Sequence, residues 1–363
     1  MQPDGLGKYV GGAAELRRLP SEMQPGEREM NLGMVTGPRE QLEGFDATGL
    51  GTFGHRPFLS EPEQLDEWKP DAAVVGAPWD GGTSYRPGTR FGPRALRNAH
   101  TPGSYHLDLE LEIFDHLDVV DYGDAMCSWG LWEPSRQAIY DRISAVATRG
   151  IVPVVLGGDH AITWPSATAV ADHLGHGNVG LIHFDAHADT ANDEAGNLAS
   201  HGTPMRRLIE SGAIKGKNFV QVGLRGYWPP ADVVAWMREQ EMKTHFMQEI
   251  WEDGIKTVID RVIDEALDGP EYIYLSVDID VLDPGFAPGT GTPEPGGMAP
   301  VDLLRIVRRI ALDTRLVGMD VVEVAPAYDH ADNTANNGHR VIWEALAGMA
   351  KRRLNGFPIG IPG

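Results

Sequence analysis

Seven apolar runs recur along the chain, most of them separated by a helical pattern. They are AAVVGA (72–77), HLDVVDYG (116–123), IVPVVLGG (151–158), VGLIHFD (179–185), NFVQVGL (218–224), YIYLSVDID (272–280) and LVGMDVVEV (316–324). Near-continuous Val, Ile and Leu is the mark of strands buried on both faces. Between them, PSRQAIYDRISAVATRG, ADVVAWMREQ, IKTVIDRVIDEAL and PVDLLRIVRRIAL place apolar residues three and four apart, as amphipathic helices do. The alternation predicts an α/β fold with a mainly parallel central sheet covered on both faces. Residues 1–68 lack this pattern and are rich in Gly, Pro, Glu and Met. They read as an irregular extension with turns and a short helix, either mobile or lying over a neighbouring subunit. Residues 69–355 form the catalytic domain on this reading, and 356–363 a tail.

Polar residues interrupt the carboxyl ends of three runs, where ligands bind in open parallel sheets. They are His160 in LGGDH, Asp185, His187 and Asp189 in HFDAHAD, and Asp278 and Asp280 in SVDIDVLDP. The period of two along a strand aims Asp185, His187 and Asp189 to one side, and Asp278 and Asp280 likewise. Buried carboxylates cost several kcal/mol each unless a positive charge neutralises them. Each motif alone has a plain reading: a tight βα turn at Gly157-Gly158, a polar loop, a solvated DxD turn. Their joint presence at successive strand ends argues for a site holding two divalent cations. His183 shares the parity of the ligand run but lies deeper, so it reads as a histidine hydrogen-bonded behind the ligands. His106, His116, His173 and His176 carry no spacing signal and default to the surface. A donor set of oxygen and nitrogen without thiolate favours Mn²⁺ over tetrahedral Zn²⁺, with Ni²⁺ left open.

Composition narrows the partners. A formal net charge of -21 disfavours nucleic acid and anionic membranes and draws a small cationic substrate. Cys127 is the sole cysteine, so no intrachain disulfide or thiolate cluster can form. The start MQPDGLGKYVGGA lacks a signal peptide's cationic and apolar regions, and no window approaches the roughly 20 apolar residues of a membrane span. A cytoplasmic protein is expected.

The set LGGDH, HFDAHADT, ASHGT, SVDIDVLDPGFAPGTGTPEPGG and DVVEVAPAYD, with GAPWDGGTSYRPGTRFGPRALR at 76–97, closely resembles the ureohydrolase family of arginases and agmatinases. The resemblance runs from about residue 70 to 350 and lies nearest the agmatinase-like guanidino hydrolases. It implies an arginase-like three-layer α/β/α fold with two Mn²⁺ ions, or two Ni²⁺ as the alternative. One ion would take His160, Asp185, Asp189 and Asp278, the other His187, Asp185, Asp278 and Asp280, with Asp185 and Asp278 bridging. Two such ions activate a bridging water near neutral pH. Asp189 would also accept a hydrogen bond from the resulting hydroxide. Glu323 matches the family residue that holds the guanidinium nitrogens, and His201 matches its proton-shuttling histidine. The products would be urea and an amine, with agmatine, giving putrescine, as leading substrate.

The loop TANDEAGNLAS is expected to face the substrate tail, where Asn192, Asp193 and Glu194 suit a cation. Arg86 and Arg90 offer partners for a carboxylate tail instead, although Arg90 and Arg94 read better as structural ion pairs. Trp79 and Trp164 either narrow a pocket or pack. Asn336, Asn337 and His339 depart from the small apolar residues usual on that helix in the family. Guanidine, a biguanide, guanidinobutyrate and guanidinopropionate therefore stay open as substrates. Formiminoglutamate hydrolysis or one-metal deacylation keeps the fold and changes the chemistry, and a non-catalytic subunit of a mixed hexamer is the reading of another class. One-metal deacylation is disfavoured by the complete two-ion set, and a non-catalytic subunit by its six intact ligands. A metallophosphoesterase would need a GNH[DE] segment, which is absent. Assembly into a homo-oligomer, a trimer or hexamer, follows from the resemblance.

Overall fold

A computed structural model describes residues 51–362 of the chain. The stretch read for a signal peptide, and most of the 1–68 extension, lie outside the described residues. All seven apolar runs are strands: β1 (Ala72–Ala77), β2 (Val119–Asp124), β3 (Val152–Gly157), β4 (Val179–Phe184) and β5 (Phe219–Leu224). β6 (Lys243–Phe246) follows, then β7 (Tyr272–Asp278) and β8 (Leu316–Val322). β6 has no counterpart among the runs. It is a short, half-polar edge strand, and an edge strand needs little apolar patterning to pair.

The eight strands form one sheet in the order β2-β1-β3-β8-β7-β4-β5-β6, with every neighbouring pair parallel. Successive β1 side chains enter opposite cores. Ala72 and Val74 join a cluster with the helices Ile255–Ala266, Pro300–Asp313 and Asn333–Leu354. Ala73, Val75 and Ala77 join a second with Trp132–Ala147, Thr163–Leu174 and Pro204–Glu210. The three layers expected from the sequence are therefore present.

Pro300–Asp313 shows how one helix is written. Leu303, Ile306, Val307, Ile310 and Ala311 are buried, a stripe at helical spacing. Each large apolar side chain so buried stabilises by about 1.5–3 kcal/mol, and Pro300 starts the helix without losing a hydrogen bond. Asn333–Leu354 is harder to read from its sequence. Val341, Ile342, Trp343, Leu346 and Met349 are buried on several sides, so no polar stripe marks its period.

Residues 51–68 lie along the edge of β2. The Phe53 amide donates to Asp121 Oδ2 at 2.8 Å, the Leu59 amide to the Asp121 carbonyl at 2.9 Å, and Leu65 and Trp68 are buried. This segment covers an edge that would otherwise offer unpaired backbone groups. Among the described residues no helix is long and apolar enough to cross a membrane.

Chain order places the site. The chain steps from β1 to β2, returns past β1 to β3, then continues beyond β8 and β7 to β4. The crevice at such a reversal lies outside the carboxyl ends of the central strands. β3, β8, β7 and β4 are adjacent there.

Candidate metal centre

Each of these four strands ends in a turn that carries candidate site residues. After β3, Asp159 caps the short helix His160–Ile162 by accepting from the Ala161 amide at 3.0 Å. Gly158 is required before it, because an added Cβ would lie 1.8 Å from the Trp79 carbonyl oxygen. After β4, Asp185 accepts from the His187 amide at 2.6 Å, and Asp189 adopts a left-handed φ of 51°. At the end of β7, Asp278 accepts from the Asp280 amide at 2.8 Å. After β8, Glu323 is left-handed at φ 62°, and its amide donates to the Gly158 carbonyl at 2.9 Å. Left-handed non-glycine residues cost about 1–3 kcal/mol and persist where the surroundings hold them.

These turns correct one expectation. Strand alternation predicts that the ligand-type residues line up along β4 and β7, but β4 stops at Phe184 and β7 at Asp278. Turn geometry aims the side chains, and the six still converge. His160 Nδ1 lies 3.1 Å from Asp185 Oδ2, 3.0 Å from Asp189 Oδ2 and 3.2 Å from Asp278 Oδ2. His187 Nδ1 lies 3.1 Å from Asp280 Oδ2 and 3.5 Å from Asp185 Oδ1. Asp185 thus serves both corners with separate oxygens. His183 sits behind it, its Nε2 2.8 Å from Asp185 Oδ2 and its Nδ1 3.3 Å from Gln221 Nε2.

Four buried carboxylates this close repel one another. Burial, with Asp280 and Asp185 nearby, drives the Asp278 carboxyl well above its ordinary range. Burial pushes Asp185 the same way, but His183, His160 and His187 outweigh it and hold that carboxyl well below. Burial opposes charge on His160 and His187, yet their carboxylate neighbours raise both imidazoles strongly. The protein alone therefore has to borrow protons to balance its acids. His160 Nδ1 is buried, faces three carboxylate oxygens and makes no well-formed hydrogen bond to any of them. An N/O donor set of this kind fits divalent cations in both corners.

A cavity of about 250 Å³ opens above the His187 corner. Ser84, Glu194, His201, Trp228 and Thr292 line it, together with His187, Asp189 and Asp278. His201 joins this wall to Glu323: its Nδ1 lies 2.9 Å from Glu323 Oε1, which also accepts from the His160 amide at 3.0 Å. Glu323 Oε2 is buried and has no hydrogen-bond partner. On its other side, His201 Nε2 meets Ser84 Oγ at 2.7 Å and the Ser84 amide at 3.2 Å. Burial disfavours charge on His201, but Glu323, Asp189 and Asp159 push its pKa up to about 10. The Ser84 amide favours the opposite state, since it donates to an Nε2 that an imidazolium cannot offer. The geometry as it stands fits neutral His201 with its proton on Nδ1, bonded to Glu323.

The loop after Asp189 divides. Glu194 faces the cavity and is hydrogen-bonded to Ser200. Asn192 and Asp193 are exposed and turn elsewhere: Asn192 Oδ1 accepts from Arg206 at 3.3 Å, and Asp193 Oδ1 from the Gly196 amide at 2.9 Å. Arg90 pairs with Asp80, and the Arg86 guanidinium lies over the Tyr85 and Tyr328 rings at 5.0 and 5.3 Å. Trp79 and Trp164 pack on either side of Trp132, outside the cavity lining. Asn336 and Asn337 bind the backbone of His100 and Phe286, and His339 stacks between Phe53 and Trp343. The three residues unusual for that helix thus serve packing.

Sequence reasoning missed Ser84, Trp228, Thr292 and Arg225. Arg225 donates to the carbonyls of Asp280 at 2.7 Å and Glu294 at 2.6 Å, tying the Asp280 turn to the loop beyond it. No spacing marks these residues. Ser84 and Thr292 fall inside quoted motifs and Arg225 follows a quoted run, whereas Trp228 lies outside them all.

The model of the arginase family matches residues 70–348. The chain belongs to the arginase family. It is 40% identical to a guanidinobutyrase of Pseudomonas aeruginosa over 82% of this chain and 92% of that protein. It is also 40% identical to a mitochondrial agmatinase of Gallus gallus, over 85% of this chain and 91% of that one. The solved proclavaminate amidinohydrolase of Streptomyces clavuligerus superposes with a TM-score of 0.77 at 34% identity, covering 85% of this chain and 99% of that structure. This arginase-family chain is accordingly a ureohydrolase-type enzyme of a family dependent on two metal ions, and its buried His/Asp cluster fits such a centre.

Proposed function

We propose that the enzyme hydrolyses a small cationic guanidino compound to urea and an amine, with agmatine, giving putrescine, as leading substrate. One observation carries the choice of tail. Among the described residues no lysine or arginine lines the cavity, whereas Glu194, an acid outside the proposed ligand set, does. A carboxylate tail would enter without a counter-charge, and a cationic tail would meet one. The similarity to a guanidinobutyrase favours the second reading, a guanidino acid.

His160, Asp185, Asp189 and Asp278 would hold one ion, and His187, Asp185, Asp278 and Asp280 the other, Mn²⁺ ahead of Ni²⁺. Bound there, the pair would supply a hydroxide nucleophile near neutral pH. Glu323 would accept guanidinium N–H on Oε2, the oxygen that has no donor of its own. His201, neutral at rest, would take up on Nε2 the proton that the attacking water gives up and pass it to the departing amine, with Glu323 on Nδ1 stabilising the imidazolium formed in between. Glu194 would face the tail. A trimer or hexamer belongs to the same proposal and is checked by sizing in solution.

The test is urea release by purified protein reloaded separately with Mn²⁺ and Ni²⁺. The panel holds agmatine, arginine, 4-guanidinobutyrate, 3-guanidinopropionate, guanidine and a biguanide. Agmatine well ahead of both guanidino acids is the expected result. Preference for a guanidino acid would overturn the tail assignment and leave the hydrolase reading intact.

A further inference from the structure

Asp320 is a fully buried carboxylate in the middle of β8, and among the described residues no lysine or arginine pairs with it. Three hydroxyls converge on it: Ser276 at 2.7 Å to Oδ1, and Tyr274 and Thr163 at 2.8 and 2.9 Å to Oδ2. Strand β7 therefore gives it two donors and the start of the helix Thr163–Leu174 the third. Such a group is expensive to bury, and the metal-centre reading above assigns it no task.

Counting protons gives it one. Ser276 Oγ also lies 2.9 Å from His160 Nε2. The serine has a single proton, and the carboxylate takes it. Ser276 can then only accept from His160, which places the imidazole proton on Nε2. With a cation in place of the borrowed protons, His160 Nδ1 would then present its lone pair to the corner formed by Asp185, Asp189 and Asp278.

We infer that Asp320, acting through Ser276, is a positioning residue that fixes the tautomer and ring orientation of His160 for metal binding. This rests on the metal-centre reading. Histidine ligands need their far nitrogen held, and removing the group that holds it weakens metal binding by about 10–100-fold. Among the described residues no such ladder supports His187. Its Nδ1 faces carboxylates and its ring borders the open cavity. The effect should therefore fall on one ion of the two.

The experiment measures bound Mn²⁺ per chain and its two dissociation constants by chelator competition. It uses the full-length protein and the variants Ser276→Ala, Ser276→Thr and Asp320→Asn. The unsubstituted protein should bind two ions. Ser276→Ala and Asp320→Asn should each weaken one of them by about 10–100-fold and leave the other unchanged, and Ser276→Thr, which keeps the hydroxyl, should retain both. Should Asp320→Asn fail to fold, the alanine and threonine variants still decide the matter. Two ions bound at unchanged strength in Ser276→Ala would overturn the inference. Equal weakening by alanine and threonine would also overturn it, since a packing defect and not a lost hydroxyl would then be responsible. Absence of metal from the unsubstituted protein would instead overturn the metal-centre reading beneath it.

Discussion

The inner corner around His160 and the outer corner around His187 use the same residue types in different surroundings. His160 is fully buried, and its ring is tied through Ser276 to Asp320. The His187 side chain is 19% exposed and borders the cavity, and its partner Asp280 sits on a turn clamped by Arg225. The inner corner is held from below by the core, the outer one from the side by loops. A site that must both retain ions and admit a substrate gains from this division. Rigid support goes where nothing enters, and access goes where the histidine is part-exposed and borders the cavity.

The largest test of the pairing is Asp185→Ala, since Asp185 supplies an oxygen to each corner. It should strip both ions and abolish urea release together. Normal metal content in that variant would show that the ligand assignment is wrong. Next is Glu323→Gln, which should keep both ions while kcat/KM falls about 30-fold or more, as expected for about 2–5 kcal/mol lost with one partner of a buried charged contact. Graded chelation sharpens the contrast directly: the ion beside His187 should leave first, followed structurally by anomalous scattering. Loss from the His160 corner first would reverse the ranking. A smaller effect separates the two acids of the loop. Glu194→Gln should raise KM for agmatine roughly fivefold, about 1 kcal/mol for a partly exposed charge contact, and Asp193→Asn should leave it unchanged. Smallest of all, Trp164→Phe should leave KM alone and cost stability within about 0.5–3 kcal/mol, measured by denaturant unfolding.

The two corners were not equally legible. The ligand-type motifs stand out because charged residues at the ends of apolar strands violate the cost of burial, a conflict that a bound cation removes. Seven strands were legible for the same reason, as a strand buried on both faces leaves no room for polar residues. β6 and the helix Asn333–Leu354 were not. One is a short edge strand that carries little pattern, the other is surrounded on most sides and loses its stripe. Supporting residues such as Ser276, Ser84 and Arg225 left no signal, because a single hydroxyl or guanidinium acquires its task only from what lies across the fold.

The sequence by itself therefore determined the layered α/β architecture, the family and the identity of the ligand-type residues. These depend on local composition and on spacing along the chain, which folding does not alter. Tertiary structure decided how those residues are aimed, which loop acid meets the cavity and which histidine is held from beneath. Asp189 and Glu323 take left-handed turns that strand alternation does not foresee, and Asn192 and Asp193 turn away while Glu194 turns in. Direction is a property of contacts between segments far apart in the chain. His201, for example, touches Glu323 and Ser84 from residues 122 and 117 positions away.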